Sequence, residues 1–238
     1  MDERPWWIVV GGRTRLGRCV AEDLAADHNL VVTTSRPEPP ESGGTASLST
    51  RTPARILRWD AADTRLVPRM MADLAQLGAE GIRFRGALIA AGSFPRQPFG
   101  SWDPESLAAT WELNLAFPLL AAQALAPHFE DGGSLQLLLD TALHRPFQDY
   151  LPYSAAKAAL GALVPGLARA FAPRIRVAGH ALGVVMPEAD CDADHLAQRT
   201  LMQRNGSPED LIRAVRYIAD SPYVTGEILT LDGGRRWA

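Results

Sequence analysis

Two rhythms of apolar residues alternate along the chain. Short runs rich in aliphatic and β-branched residues stand at residues 6–10, 30–34, 56–59, 87–91, 134–139, 174–181 and 227–231. Apolar runs of this length, closed by turn residues, are expected of parallel strands buried on both faces. Between them, residues 15–26, 64–77, 103–129, 153–171 and 208–219 carry apolar positions three and four apart, the period of a helix with one buried face. Leu16, Val20 and Leu24 share such a face, and Pro118 predicts a bend in the helix over residues 103–129. Strand then helix, repeated, predicts an α/β fold with a doubly wound parallel sheet of about seven strands and helices on both faces. Residues 36–55, rich in Pro, Gly, Ser and Thr, read as a surface loop in place of a crossover helix, because the strand pattern resumes at residue 56.

The 238 residues suit one such domain over residues 1–238. With 47% hydrophobic and 21% charged residues the chain is of ordinary globular composition. A formal charge of -3 gives no electrostatic footprint for nucleic acid. No apolar run approaches the length of a membrane span. Cys19 and Cys191 have no metal-ligand spacing, so no metal site is expected. The start "MDERPWWIVVGG" passes from acidic residues directly into a short strand, which predicts no signal peptide. These features together predict a cytoplasmic protein.

The first chemical signal is the turn "VVGGRTRLGR" between the first strand and the first helix. Gly11 permits a tight turn and Gly17 a close approach of helix to strand, which leaves backbone N–H groups free to hold a pyrophosphate. The spacing departs from GxGxxG, and Arg15 stands where a middle glycine is usual. The second strand runs on into Thr33, Thr34, Ser35 and Arg36 where an acid would bind ribose hydroxyls. Hydroxyls and a guanidinium suit a 2′-phosphate and point to NADPH. Asp60, after the third strand, is placed either to accept from an adenine amino group or to cap a helix.

The second signal is Tyr153-x-x-x-Lys157, two side chains on one helix face, where a cation lowers a phenol's pKa. With "GGRTRLG", Asn114 in "WELNLAF", "YSAAK" and "VTGEILTLDGG", nearly the whole chain resembles the short-chain dehydrogenase/reductase family. The resemblance implies a single Rossmann-type domain and an NADPH-dependent oxidoreductase in which Asn114, Tyr153 and Lys157 are catalytic. It implies further that Gly11, Arg15, Leu16, Gly17, Ser35, Arg36, Asp60, Ala91, Gly92, Gly183 and Val185, with Tyr153 and Lys157, hold the cofactor. The family's usual serine falls on Asp140, an acid shared with the pteridine and dihydromonapterin reductase subgroup. On that resemblance Arg15, Phe94, Asp140, Tyr150 and Tyr153 shape a pterin site, Phe94 stacking on the flat ring.

Three departures from the family pattern, Ala90, Ala178 and Leu182, fall on its cofactor side. Residues 184–207 are the expected substrate lid, and its acidic stretch "PEADCDAD" is expected to be mobile when the site is empty. Two other readings stay open: a short-chain reductase of another carbonyl or a quinone, and a non-catalytic NADP(H)-binding sensor. Ala116, Ala121, Ala124, Ala155, Ala158, Ala159 and Ala162 lie on the two helices that family members pair into homotetramers, although packing on the sheet accounts for some of them equally well. Arg235 and Arg236 are placed to reach a neighbour's site.

Overall fold

The computed structural model describes residues 4–35, 54–63, 65–187 and 191–238. Arg36, nearly all of the expected 36–55 loop, and residues 188–190 of the expected lid lie outside the described residues. Seven parallel strands form one sheet in the order β3-β2-β1-β4-β5-β6-β7. They are β1 (Trp6–Val10), β2 (Asn29–Thr34), β3 (Arg55–Arg58), β4 (Phe84–Ile89), β5 (Phe129–Asp140), β6 (Ile175–Leu182) and β7 (Ile228–Leu231). The helices are α1 (Arg15–Leu24), α2 (Leu66–Ala79), α3 (Pro104–Trp111), α4 (Phe117–Leu125), α5 (Leu151–Phe171), α6 (Ala193–Gln198) and α7 (Pro208–Asp220). Among the described residues no helix is long and apolar enough to cross a membrane.

The period of two along β1 sorts the core. Ile8 and Val10 point to the face covered by α2, α4 and α5, where Met70, Leu74, Phe117, Ala121, Leu160 and Val164 are buried. Trp7 and Val9 point to the opposite face, against Val20 and Leu24 of α1 and Leu211 and Val215 of α7. Each fully buried valine, leucine, isoleucine, phenylalanine or methionine side chain among these contributes about 1.5–3 kcal/mol. The alanines expected at a tetramer interface divide. Ala121 and Ala124 point into this core, which removes them from any such surface, while Ala116, Ala155 and Ala162 stay exposed.

Two elements differ from the sequence reading. The bend expected near Pro118 is a π turn over Glu112–Ala116, in which the Phe117 N–H donates to the Glu112 carbonyl. Pro118 has no N–H to give to the preceding turn, so the hydrogen-bond ladder is disturbed just ahead of it. Inside the expected lid, α6 forms because the Asp192 carboxylate accepts from the His195 N–H at 2.9 Å, a one-residue cap easily lost in an acidic stretch.

The middle of the sheet holds a buried polar pair. Gln136 on β5 donates to the Val215 carbonyl at 3.1 Å, and its Oε1 accepts from His180 Nε2 at 2.6 Å. His180 Nδ1 is buried without a partner among the described residues, and burial pushes this imidazole's pKa down to about 4. The unfolded chain therefore binds the proton first. The stability this histidine contributes is full above pH ~6.5 and is lost progressively as pH falls toward 4, about 3 kcal/mol in all. Urea melts of wild type and His180→Gln at pH 7.5 and pH 5 are expected to diverge. The wild type loses this part of its stability at pH 5 and the variant does not.

Candidate active site

The C-terminal ends of β1, β4, β5 and β6 open into one cavity of about 1010 Å³. Ligands in open parallel sheets bind at this edge, where the chain leaves the strands in loops. The cavity is lined by Gly11, Arg15, Leu16, Gly17, Ser35, Asp60, Ala91, Gly92, Phe94, Asn114, Asp140, Tyr150, Tyr153, Lys157, Gly183 and Val185. Every expected site residue that is described is thus gathered on one surface.

The glycine turn fits a phosphate cradle. Gly11 has φ +80°, and a Cβ on Gly17 would stand 2.5 Å from the Gly11 carbonyl oxygen, so a side chain there would force the helix away from the strand. Thr14 precedes α1 without placing its side chain on the first-turn N–H groups. Arg15, at the place of the missing middle glycine, holds φ +48°, a left-handed conformation that costs a non-glycine residue about 1–2 kcal/mol. Its guanidinium donates to the Met186 carbonyl at 2.8 Å and so ties the turn to the segment after β6.

At the end of β2 three of the four polar residues, Thr33, Thr34 and Ser35, are described. Thr33 is buried, touches the cavity and accepts the Gly11 N–H at 3.1 Å, so its hydroxyl braces the turn. Thr34 and Ser35 line the cavity. Asp60 accepts the Ala62 N–H at 3.1 Å in a tight turn ahead of α2; it does not cap that helix.

The reacting end is built around Asp140, the last residue of β5, and the first turns of α5. Tyr153 donates its phenolic hydrogen to Asp140 Oδ2 at 2.9 Å, while Asp140 Oδ1 accepts the Ala142 N–H at 2.7 Å. Lys157 donates to the Leu138 carbonyl at 3.0 Å. Burial and the facing Asp140 carboxylate push the Tyr153 phenol well above its usual range. This corrects the expectation that Lys157 lowers it. The ammonium lies 5.8 Å from the centre of the tyrosine ring, and the acid is directly bonded. Burial also raises the Asp140 carboxyl and pushes Lys157 down to about 8. The resting arrangement therefore keeps the phenol protonated, as a proton donor must be.

Asn114, in the π turn, is fully buried. Its Oδ1 accepts the Ser93 N–H at 3.2 Å and its Nδ2 donates to the Thr110 carbonyl at 3.0 Å. A Cβ on Gly92 would come within 2.9 Å of Asn114 Oδ1 and 3.5 Å of Lys157 Nζ, so this glycine lets the loop after β4 lie against both. Phe94, half exposed, stacks on Tyr150 with ring centres 4.0 Å apart and planes 6° from parallel, and meets Tyr153 edge-on at 4.8 Å. Phe94 and Tyr150 thus form one aromatic wall.

Sequence reasoning placed Arg235 in a neighbour's site. It lies instead in the cavity of its own chain, on a final turn over Arg235–Trp237. The Asp232 carboxylate folds this turn by accepting the Gly234 and Arg236 N–H groups at 2.9 and 3.0 Å. The pattern Asp-x-Gly at 232–234 was the available signal.

Such a sheet, with a glycine turn after its first strand and a Tyr-Lys pair beside the cavity, defines a dinucleotide-dependent oxidoreductase. The sequence model of the family described as enoyl-(acyl carrier protein) reductase matches residues 13–236. The chain belongs to the short-chain dehydrogenase/reductase family, whose members use NAD(P)H. Tropinone reductase-like 3 of Erythroxylum coca is 30% identical over 133 residues, 52% of each chain. Dihydromonapterin reductase of Enterobacter sp. (strain 638) is 25% identical over 240 residues, 98% of this chain and 97% of the relative. The chain thus spans about half the length of the first relative and nearly all of the second. A short-chain dehydrogenase/reductase from Serratia marcescens superposes with a TM-score of 0.83 at 25% identity, over 98% of both chains.

Proposed function

We propose that the protein is an NADPH-dependent reductase of a pterin-type substrate, converting a dihydropterin to its tetrahydro form. The observation that carries this reading is the Tyr153–Asp140 hydrogen bond beside the stacked Phe94–Tyr150 wall. The full-length similarity to a dihydromonapterin reductase supports it. Gly11, Leu16 and Gly17 cradle the cofactor's phosphates, Thr34, Ser35 and Arg36 take the 2′-phosphate, and Asp60, Ala91, Gly92, Gly183 and Val185 line its path. The cofactor supplies hydride to a ring carbon.

Tyr153 supplies the proton to the adjacent ring nitrogen. Lys157 holds the nicotinamide ribose, and Asp140 orients the phenol and a substrate N–H. Asn114 holds the loop after β4 against Lys157 and a water that relays the proton. The half-exposed aromatic wall, together with Arg15, receives the flat ring. Trp111, Leu151 and Leu163, exposed on the α3–α5 side, support a homotetramer.

NADPH oxidation with 7,8-dihydromonapterin and 7,8-dihydrobiopterin tests the reading. Turnover of either, with kcat/KM well above that for simple ketones, is expected. The wall also supports a second reading, because Tyr150 already covers one face of Phe94. Faster turnover of a ketone or quinone than of any dihydropterin would assign the site to that chemistry.

A further inference from the structure

Arg235 lines the Asp140 end of the cavity, and Arg145 and Arg199, on two other segments, act on it as like charges. Arg145 follows the short turn after β5, with its N–H bonded to the Thr141 carbonyl at 3.1 Å. Arg199 ends α6, and Arg235 sits on the final turn. Specific contacts bring these segments side by side. His144 Nε2 lies 3.3 Å from Thr230 Oγ1 at the end of β7, and the Met202 N–H donates to the Gly233 carbonyl at 3.1 Å. Thr141, Leu196 and Arg235 all line the cavity.

The charges at this place do not balance locally. Arg145 and Arg199 face Arg235 as like charges, and Asp140 and Asp232 are the acids that face it. Neither acid pairs with it. Asp140 gives its two oxygens to Tyr153 and Ala142, and Asp232 gives its two to Gly234 and Arg236. Arg235 Nη1 is buried without a hydrogen-bond partner among the described residues. A buried guanidinium donor left unpaired is costly, and arginines crowded together without a counter-charge repel one another. Both costs vanish when an anion with acceptor oxygens enters.

We propose that Arg235, with Arg145 and Arg199 beside it, forms a subsite for an anionic group, a carboxylate or a phosphate, carried by the substrate at a distance from its reacting bond. The subsite deepens the reductase reading by giving its substrate a charged tail. It rests on that reading only in needing a substrate in the cavity.

Two arms test it. In the first, inorganic phosphate and malonate are titrated calorimetrically into NADPH-saturated wild type, Arg235→Lys and Arg235→Gln at constant ionic strength. Wild type and Arg235→Lys are expected to bind roughly 10-fold or more tightly than Arg235→Gln. Binding of phosphate alone or of malonate alone assigns which anion the subsite takes. In the second, KM is compared for two 7,8-dihydropterins, one with a neutral side chain and one bearing carboxylates. The charged member is expected to show a KM about 10-fold lower in wild type, with the preference lost in Arg235→Gln and reduced in Arg145→Gln and Arg199→Gln.

If no dihydropterin turns over, the same comparison is made with a keto acid and its neutral methyl ester. A charge preference there overturns the pterin reading and leaves the subsite standing. The subsite is overturned by absent anion binding in wild type, by equal KM for charged and neutral substrates, or by a preference that survives Arg235→Gln.

Discussion

Tyr153→Phe is expected to reduce NADPH-dependent turnover by about 10²- to 10⁴-fold while NADPH still binds. The substitution removes one oxygen from a ring that is only 6% exposed, so the packing of α5 against the sheet is preserved. Among the described residues the lost hydroxyl makes one hydrogen bond, to Asp140. Because burial and Asp140 hold the phenol well above its usual pKa, it enters the reaction as a neutral donor throughout the physiological range. Steady-state assays report the loss, and a titration of NADPH fluorescence reports the retained binding. A variant that binds NADPH and still turns over substrate would assign the proton to another group.

Asp140→Ser has the second largest expected effect, a loss of about 10²-fold in kcat/KM together with a displaced pH profile. The acid exerts two of the three influences that raise the tyrosine, its charge and its hydrogen bond, leaving burial alone in the variant. The Tyr153 ionisation therefore moves to lower pH when the acid is removed. Burial raises the Asp140 carboxyl above its ordinary pKa. As pH falls through the raised value the wild-type carboxylate is neutralised, so its rate profile carries an acid-side step that the serine variant lacks. Profiles of kcat/KM against pH for both proteins measure the two changes together. Identical profiles would show that the acid takes no part in proton supply.

Much of this site was readable in the chain because the signals were local. The apolar runs fixed the strands, and a strand's C-terminal end determines where a ligand meets a parallel sheet. Gly11, Gly17 and Tyr153 each sit at a strand end or a helix start, and the resemblance to the family, whose usual serine falls on Asp140, placed the acid beside them. What escaped depends on distant parts of the molecule. The sense of the Tyr153 shift required knowing that Lys157 points to the Leu138 carbonyl and that Asp140 faces the phenol.

In "DGGRRWA" Arg235 reads as a residue placed to reach a neighbour's site. Its direction is set by Asp232 and by the packing of Gly233 and Gly234 against Thr200 and Leu201, some thirty residues earlier. The polar tie across the middle of the sheet was likewise hidden. Gln136 and His180 stand 44 positions apart and meet only because β5 and β6 are neighbours.

The π turn over Glu112–Ala116 makes the α3–α4 segment sensitive to indels in a way its composition does not reveal. Each residue of a helix advances the face by about 100°, and a π turn is an α-helix that has taken in one residue too many. Removing a single residue there would let the ladder close regularly. Phe117 and Ala121 would keep their places in the core, because the π turn absorbs its extra residue locally, but the bulge that presents Asn114 would be gone. Substitutions that preserve length leave the bulge intact. Chain length within these five residues is therefore a constraint on Asn114 that is distinct from their identity.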